Sequence, residues 1–179
     1  MTDTNELTIQ IVLYEENKEL IFKCLENLKN FKVLILDNSN NKKLIDTKYL
    51  LILNADCQIN ENNIKNLLQS YKKYTDCGVI SPTTFNDKFE HTYNGGKFFE
   101  NESQCKITEI SGDTCFERVL GAAMLIEKNF FFDIGKFNEN MFLFFSDDDL
   151  CKKIRKSNKS IIQSKSAKAF HIHGNSKVK

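Results

Sequence analysis

The chain has 179 residues, enough for one domain with a sizeable core and too few for two full ones. Apolar residues make up 41% and charged residues 27%, the proportions of a folded soluble domain, which excludes a disordered, collagen-like or coiled-coil chain. Lys plus Arg number 25 against 24 for Asp plus Glu, a net charge of +1, so no global field draws the chain to nucleic acid or to an anionic membrane.

The acidic stretch Met1 to Glu6 is followed by no apolar signal region. The longest apolar runs, such as Lys32 to Leu36 and Asn129 to Phe132, fall far short of the roughly 20 residues of a membrane helix. A cytoplasmic chain is expected. The cysteines Cys24, Cys57, Cys77, Cys105, Cys115 and Cys151 form no C-x-x-C pair, so most are expected to be reduced and in or near the core.

In chain order, Thr8 to Leu13 is a β-branched run that predicts a strand, and Lys18 to Leu28 sets Leu20, Ile21, Cys24, Leu25 and Leu28 at helical spacing. Lys32 to Leu36 predicts a second strand that ends in the turn-forming Asp37 to Asn41, which makes a right-handed βαβ unit with parallel pairing. Tyr49 to Leu53 is a third, continuous apolar strand, as suits a strand covered on both faces. Asn60 caps a helix to about Tyr71, with Ile64, Leu67, Leu68 and Tyr71 buried, and Gly78 to Ser81 gives a fourth short strand. After Pro82, Phe89 to Phe99 alternates about Asn94-Gly95-Gly96, a β-hairpin signal. Arg118 to Ile126 predicts a buried strand, Lys128 to Ile134 a helix stopped by Gly135, Asp147 to Lys156 a further helix and Ala167 to His173 a last strand. The fold class is therefore α/β, a doubly wound mixed sheet, mainly parallel in the first half with an antiparallel hairpin in the second. No linker composition, internal repeat or low-complexity tract divides it.

Ligands of open parallel sheets bind beyond the carboxyl ends of the strands. Asp37 and Asp56 each follow such a strand, and Ser146-Asp147-Asp148-Asp149 can complete the group. Each segment alone also has a plain structural role: Asp37-Asn38-Ser39 as a turn or cap, and the aspartates of 147–149 as favourable charges at a helix start. Gathered together they would repel one another unless a cation balanced them, and Mg²⁺ or Mn²⁺ held with the oxygens of a nucleotide diphosphate does so. His171 and His173 fall on one face of the last predicted strand, His91 carries no signal, and the phenylalanines of 130–132 and 142–145 are expected in the core, with one ring able to shape an acceptor cleft.

Taken in order, Ile11 to Tyr14, Val33 to Ser39, Leu51 to Asp56, Gly121 to Ile126, Ile134 to Glu139, Phe142 to Cys151 and His171 to Ser176 resemble the family 2 glycosyltransferases of GT-A fold. The likeness is greatest to their rhamnosyltransferase-like bacterial members and runs over nearly the whole chain. It implies one domain over 1–179, with a nucleotide-binding half at 1–85 and an acceptor-binding half at 86–179. It also implies transfer of a sugar, with inversion, from a nucleotide-sugar donor to a glycan or lipid-linked acceptor. By this resemblance Tyr14, Asp37 and Asn38 contact the nucleoside, and Asp56 holds the metal with His171. Asp147 is the general base, and Gly121 and Asp148 lie on the acceptor side.

The chain departs from that family in places. Asn54 replaces the first carboxylate of the D-x-D element, Ser146 stands where an acid usually precedes the base, and Lys153 stands where Arg is common. The segment between Asp37 and Tyr49 holds one short crossover and no additional strand, so Lys32 to Leu36 is expected at the sheet edge, where a second copy of the chain can pair. The chain ends soon after His171, which predicts a domain without the C-terminal elements of longer members. Its late lysines, from Lys152 to Lys179, are either solvated or in peripheral contact with the inner face of a membrane. These departures keep a second reading open, a degenerate module that binds a nucleotide, a sugar or a protein without turnover. A nucleotidyltransferase ranks last, because Glu15 to Glu19 makes a poor phosphate loop.

Overall fold

The structure, a computed structural model, describes residues 4–13, 18–37, 45–92, 95–98, 109–138, 140–141 and 145–172. The apolar runs near the start of the chain form strands β1 (Leu7–Leu13), β2 (Lys32–Asp37) and β3 (Tyr49–Asn54), with helix α1 (Lys18–Glu26) between the first two. β1 pairs in parallel with β2 on one side and β3 on the other, so Ile9 faces both Val33 and Leu51. The expected βαβ unit is present, and β2 closes one end of the sheet. Helix α2 (Glu61–Lys73) starts where the Asn60 side chain accepts from the Asn63 N–H at 2.9 Å, and it buries Ile64, Leu67, Leu68 and Tyr71.

The remaining elements are β4 (Cys57–Gln58), β5 (Cys77–Phe85), β6 (Gly95–Gly96), β7 (Thr114–Phe116), β8 (Arg118–Val119), β9 (Ala123–Glu127), α3 (Lys128–Asp133), α4 (Ser146–Lys156) and β10 (Ser160–His171). The main sheet runs β2-β1-β3-β9-β5-β10-β4, with β7 also on β10, while β6 and β8 form a separate antiparallel pair. β9 is antiparallel to both β3 and β5, and β10 is parallel to β5. The carboxyl ends of β1, β2, β3, β5 and β10 therefore share one edge with the amino end of β9. Two cores lie on the two faces of the sheet, one completed by Cys24, Leu28, Leu67 and Leu68 of the α1–α2 side, the other by Phe131, Leu150 and Ile154 of α3 and α4.

Four elements differ from expectation, each for a local reason. β5 does not stop at Ser81 but runs through Pro82 to Phe85. Proline lacks a donor and belongs opposite an irregularity, and β10 slips register there, pairing Ser164 with Pro82 and Lys168 with Thr83. Gly95 and Gly96 are not a hairpin turn but pair with Val119 and Arg118. Glycine is required at Gly95 by packing, since a Cβ would lie 2.6 Å from the Phe116 ring. The run Arg118 to Ile126 is two strands broken by a turn at Gly121–Ala122, and β10 begins at Ser160 rather than Ala167.

The slip in β10 is held by side chains in place of ladder bonds. Asp113 Oδ1 accepts from the Lys165 N–H (2.8 Å) and from Ser164 Oγ (3.3 Å), and its Oδ2 accepts from the Tyr74 hydroxyl (3.1 Å). Asn66 donates to the Ser166 carbonyl (3.0 Å), and Asn63 accepts from the Lys168 N–H (2.9 Å). Removing Asp113 takes the acceptor from the Lys165 N–H and the Tyr74 hydroxyl, while Ser164 Oγ keeps Ser70 and Ser166, so Asp113→Ala is expected to cost about 2 kcal/mol and Asp113→Asn less. Urea unfolding checks this: the midpoint should fall at unchanged slope, and equal stability of the Ala variant would show that the clamp is dispensable.

Candidate functional site

The site is built at the shared strand edge. After β3 the chain turns at Ala55–Asp56 and enters β4, which pairs with the end of β10, so that His171 faces Cys57. This return sets Asp56 beside His171, with Oδ1 3.2 Å from Nε2, and the Ile172 N–H donates to the Asp56 carbonyl at 3.2 Å. Both side chains are largely buried, at 19% and 11% exposure.

Asp147 stands in the first turn of α4. Its Oδ2 accepts from the Gly121 N–H and its Oδ1 from the Asp148 N–H, both at 3.0 Å. A Cβ on Gly121 would lie 3.4 Å from the Asp147 Cβ and 3.6 Å from Oδ2, ordinary contact distances that show how closely the two residues are seated. Burial pushes the Asp147 carboxyl above its ordinary range; the Gly121 N–H opposes the shift and the neighbouring Asp148 charge adds to it. A carboxylate so raised is a better proton acceptor than an exposed one.

Asp147 and Asp56 belong to one continuous chain of contacts. Gly121 holds Asp147, the next residue Ala122 accepts from the Asn54 N–H at 3.0 Å, and Asn54 leads through Ala55 to Asp56 and His171. The fold thus brings Asp56, His171, Gly121, Asp147 and Asp148 to one edge. Asp37 ends β2 on that same edge, separated from β3 by β1. Tyr14, Asn38 and His173 lie outside the described residues.

The acidic cluster is less in need of an added cation than its sequence suggests. Asp148 Oδ1 is 3.2 Å from Arg118 Nη1, and Asp149 Oδ2 is 2.9 Å from Lys153 Nζ. Lys153 also donates to the Lys136 carbonyl at 2.9 Å, which turns it into the α3–α4 junction. The chain's own cations therefore balance part of the cluster. Arg118 was hidden from sequence reading within an apolar run; the one signal for it was a lone guanidinium at the start of a buried stretch, where an ionic partner is required. Among the described residues, no three His, Cys, Asp or Glu side chains are placed to hold a metal ion.

Cys24, Cys57, Cys77 and Cys151 are buried and unpaired with one another, and burial pushes Cys24, Cys77 and Cys151 up to about 12. Cys115 is exposed, at variance with a core position, and Cys105 lies outside the described residues. No helix among the described residues is long and apolar enough to cross a membrane.

No protein-family model and no curated protein sequence matches the chain. Solved structures do. GalNAc-T7, crystallised with UDP, GalNAc and Mn²⁺, is similar with a TM-score of 0.68 at 11% identity, over 93% of this chain and 44% of that one. A197 from STIV is similar with a TM-score of 0.61 at 12% identity, over 94% of this chain and 86% of that one. This chain spans less than half of the GalNAc-T7 structure. At such identities the likeness shows the fold, which is GT-A-like.

Proposed function

We propose that the chain is a nucleotide-sugar-dependent glycosyltransferase domain, with its nucleotide-binding half at 1–85 and its acceptor-binding half at 86–179. The observation that carries this reading is the half-buried Asp147 carboxylate, joined through Gly121, Ala122 and Asn54 to the Asp56–His171 pair at the ligand-binding edge of a GT-A-like sheet. GalNAc-T7, which shares the fold, was crystallised with UDP and Mn²⁺.

In this reading Asp147 accepts the proton of the acceptor hydroxyl as that oxygen attacks the anomeric carbon. The new carbon–oxygen bond forms as the bond to the diphosphate breaks, and the electron pair leaves with the diphosphate. Inversion follows from a single displacement. Gly121, on the acceptor side, orients Asp147 through its N–H, while Arg118 fixes Asp148. Tyr14, Asp37 and Asn38 would meet the nucleoside. One carboxylate and one imidazole fit Mn²⁺ better than the all-oxygen preference of Mg²⁺, with diphosphate oxygens and water completing the shell. Held by Asp56 and His171, such an ion would offset the charge of the leaving group. An edge-to-edge homodimer through β2 belongs to the same proposal, since β2 ends the sheet with one side unpaired among the described strands.

Calorimetry tests the donor half. UDP should bind in the presence of Mn²⁺ and fail to bind after chelation, and Asp56→Ala and His171→Ala should each weaken binding at least about tenfold. Equal binding with and without metal would remove the pair from this role. A second reading, a binding module without turnover, is favoured by one observation: Asp148 and Asp149 already have cationic partners within the chain. It predicts ligand binding that survives Asp147→Asn and no transfer in either protein.

A further inference from the structure

Asp147, Asp148 and Asp149 follow one another in the first turn of α4, and each meets a different partner. Asp149 faces Lys153 one turn on in the same helix, with Oδ2 2.9 Å from Nζ. Asp148 reaches across to β8, where its Oδ1 lies 3.2 Å from Arg118 Nη1. Asp147 is met by the N–H groups of Gly121 and Asp148 and, among the described residues, by no cation. The carboxylate read above as the base is thus the one of the three without a counter-charge. The cation that takes its neighbour comes from outside the helix.

The start of α4 lacks the usual hold from within. Phe145 occupies the N-cap with left-handed backbone (φ 65°) and makes no side-chain cap bond, where Ser, Thr, Asp or Asn would accept from the first turn. Contacts from outside take that place. Asp148, Cys151, Lys152 and Arg155 share one face of α4 at helical spacing, and each meets the β6–β8 pair or a residue beside it. Arg118 meets Asp148, the Val119 carbonyl accepts from Cys151 Sγ at 3.8 Å, the Phe98 ring centre lies 5.3 Å from Lys152 Nζ, and Glu117 lies 3.8 Å from Arg155. These contacts are unequal. A thiol is a weak donor, and the long, exposed Arg155–Glu117 pair is screened by solvent. Arg118 and Asp148 are only 12% and 18% exposed, and Arg118 Nε also donates to the Lys97 carbonyl at 3.2 Å. One guanidinium therefore spans the end of β6 and the first turn of α4.

We infer that Arg118 is a positioning residue of this site: by tying Asp148 to the β6–β8 pair it seats the first turn of α4 against Gly121 and offsets the negative charge beside the Asp147 carboxylate. This rests on the reading of Asp147 as the base. The groups that bear on Asp147 are few. Asp148 adds to the upward push that burial gives its carboxyl, and the Gly121 N–H opposes that push. Cys151, on the same helix, is pushed up to about 12 and stays a neutral thiol. Asp148 and Arg118 are therefore the charges whose removal Asp147 should feel, and it should feel them in opposite senses. Loss of Arg118 leaves the Asp148 charge unopposed, whereas loss of the Asp148 charge leaves the guanidinium acting alone.

A carboxyl-carbon NMR titration of the whole chain, with Asp147→Asn to assign the signal, reads this without turnover. Arg118→Gln should raise the titration midpoint of Asp147, Asp148→Asn should lower it, and the double variant should return toward wild type. A side chain that merely props the helix would move both single variants the same way. Arg118→Gln should also lower kcat, measured as UDP release from a panel of UDP-sugars, by about 10- to 100-fold at little-changed KM for the donor. Arg118→Lys keeps the charge and loses the second bond, so its kcat should fall between the two. Arg155→Gln removes the exposed contact on the same helix face and is the control, with titration and kcat as in wild type. Should Arg118→Gln fail to fold, the double variant set against Asp148→Asn carries the test, since loss of the cation must raise Asp147 in that background too. An unmoved titration, a shift of one sign in both single variants, or an unchanged kcat would each overturn the inference. Opposed shifts in a chain that releases no UDP would overturn the transferase reading and leave the hold of Arg118 on Asp147 standing.

Discussion

Replacing Asp147 with asparagine is expected to lower kcat by about 10²- to 10⁴-fold, the usual contribution of a positioned general base, with little change in KM for the donor. Geometry is the first reason. The substituted amide would keep one oxygen, enough for the Gly121 N–H but not for the Asp148 N–H as well, so the side chain stays oriented and loses its basicity. Stability supplies a second readout. Burial raises the Asp147 carboxyl in the folded state, so the folded chain holds this proton more tightly than the unfolded chain does. Stability from this group is therefore greatest below about pH 4, the ordinary aspartate range, and falls as pH rises through the raised value. The asparagine variant should lack that component. Urea midpoints measured across this range check the sign, and a stability that rises more steeply with pH in wild type than in the variant would contradict it.

Gly78→Ala is expected to cause the largest loss of stability from a single methyl group. Gly78 lies in β5 beneath the two helices of the second core. A Cβ there would lie 2.4 Å from Ile154 Cγ2, 2.8 Å from Lys159 Cβ and 3.3 Å from Phe130 Cε1. Ile154 can rotate only within a filled core, and the Lys159 Cβ is fixed to its backbone, so α4 must move away from the sheet. Such overpacking costs about 3 kcal/mol, or roughly 6 to 12 °C in Tm for a chain of this size. Because α4 carries Asp147, transfer should weaken with it. A variant that melts with wild type would contradict the close seating of α4 on β5.

Much of the fold was legible because burial and alternation agree in its first half. Leu50, Leu51, Ile52 and Leu53 are all buried, so continuous apolarity read correctly as a strand covered on both faces. Asn60 announced its helix by the residue type that caps one. β10 was illegible over Gln163 to Ser166 because polar residues there replace the slipped ladder: the buried Gln163 and Ser164 meet Thr83 and Asp113, and the backbone of Lys165 and Ser166 bonds to Asp113 and Asn66. Gly95-Gly96 misled for a related reason: the pattern reads as a turn, whereas the glycine there makes room for Phe116.

The candidate site divides in the same way. Asp56 and Asp147 were visible as carboxylates at a strand end and a helix start, positions fixed by local patterning. Their joining through Gly121, Ala122 and Asn54 depends on a turn inside an apolar run, which periodicity cannot show. The partnership of Arg118 with Asp148 spans 30 residues and has no sequence signature. Sequence alone therefore overstated the unbalanced charge of the cluster and understated the chain's own answer to it.

Paramagnetic broadening by Mn²⁺ in the presence of UDP tests most directly whether Asp56 and His171 hold a cation at the edge that also carries Asp147. The backbone amide signals of Asp56, Cys57, Gly121, Ala122, Asp147 and His171 should broaden first and recover on chelation. Broadening confined to other surfaces, or a spectrum that Mn²⁺ and UDP leave unchanged, would contradict a cation site at Asp56 and His171.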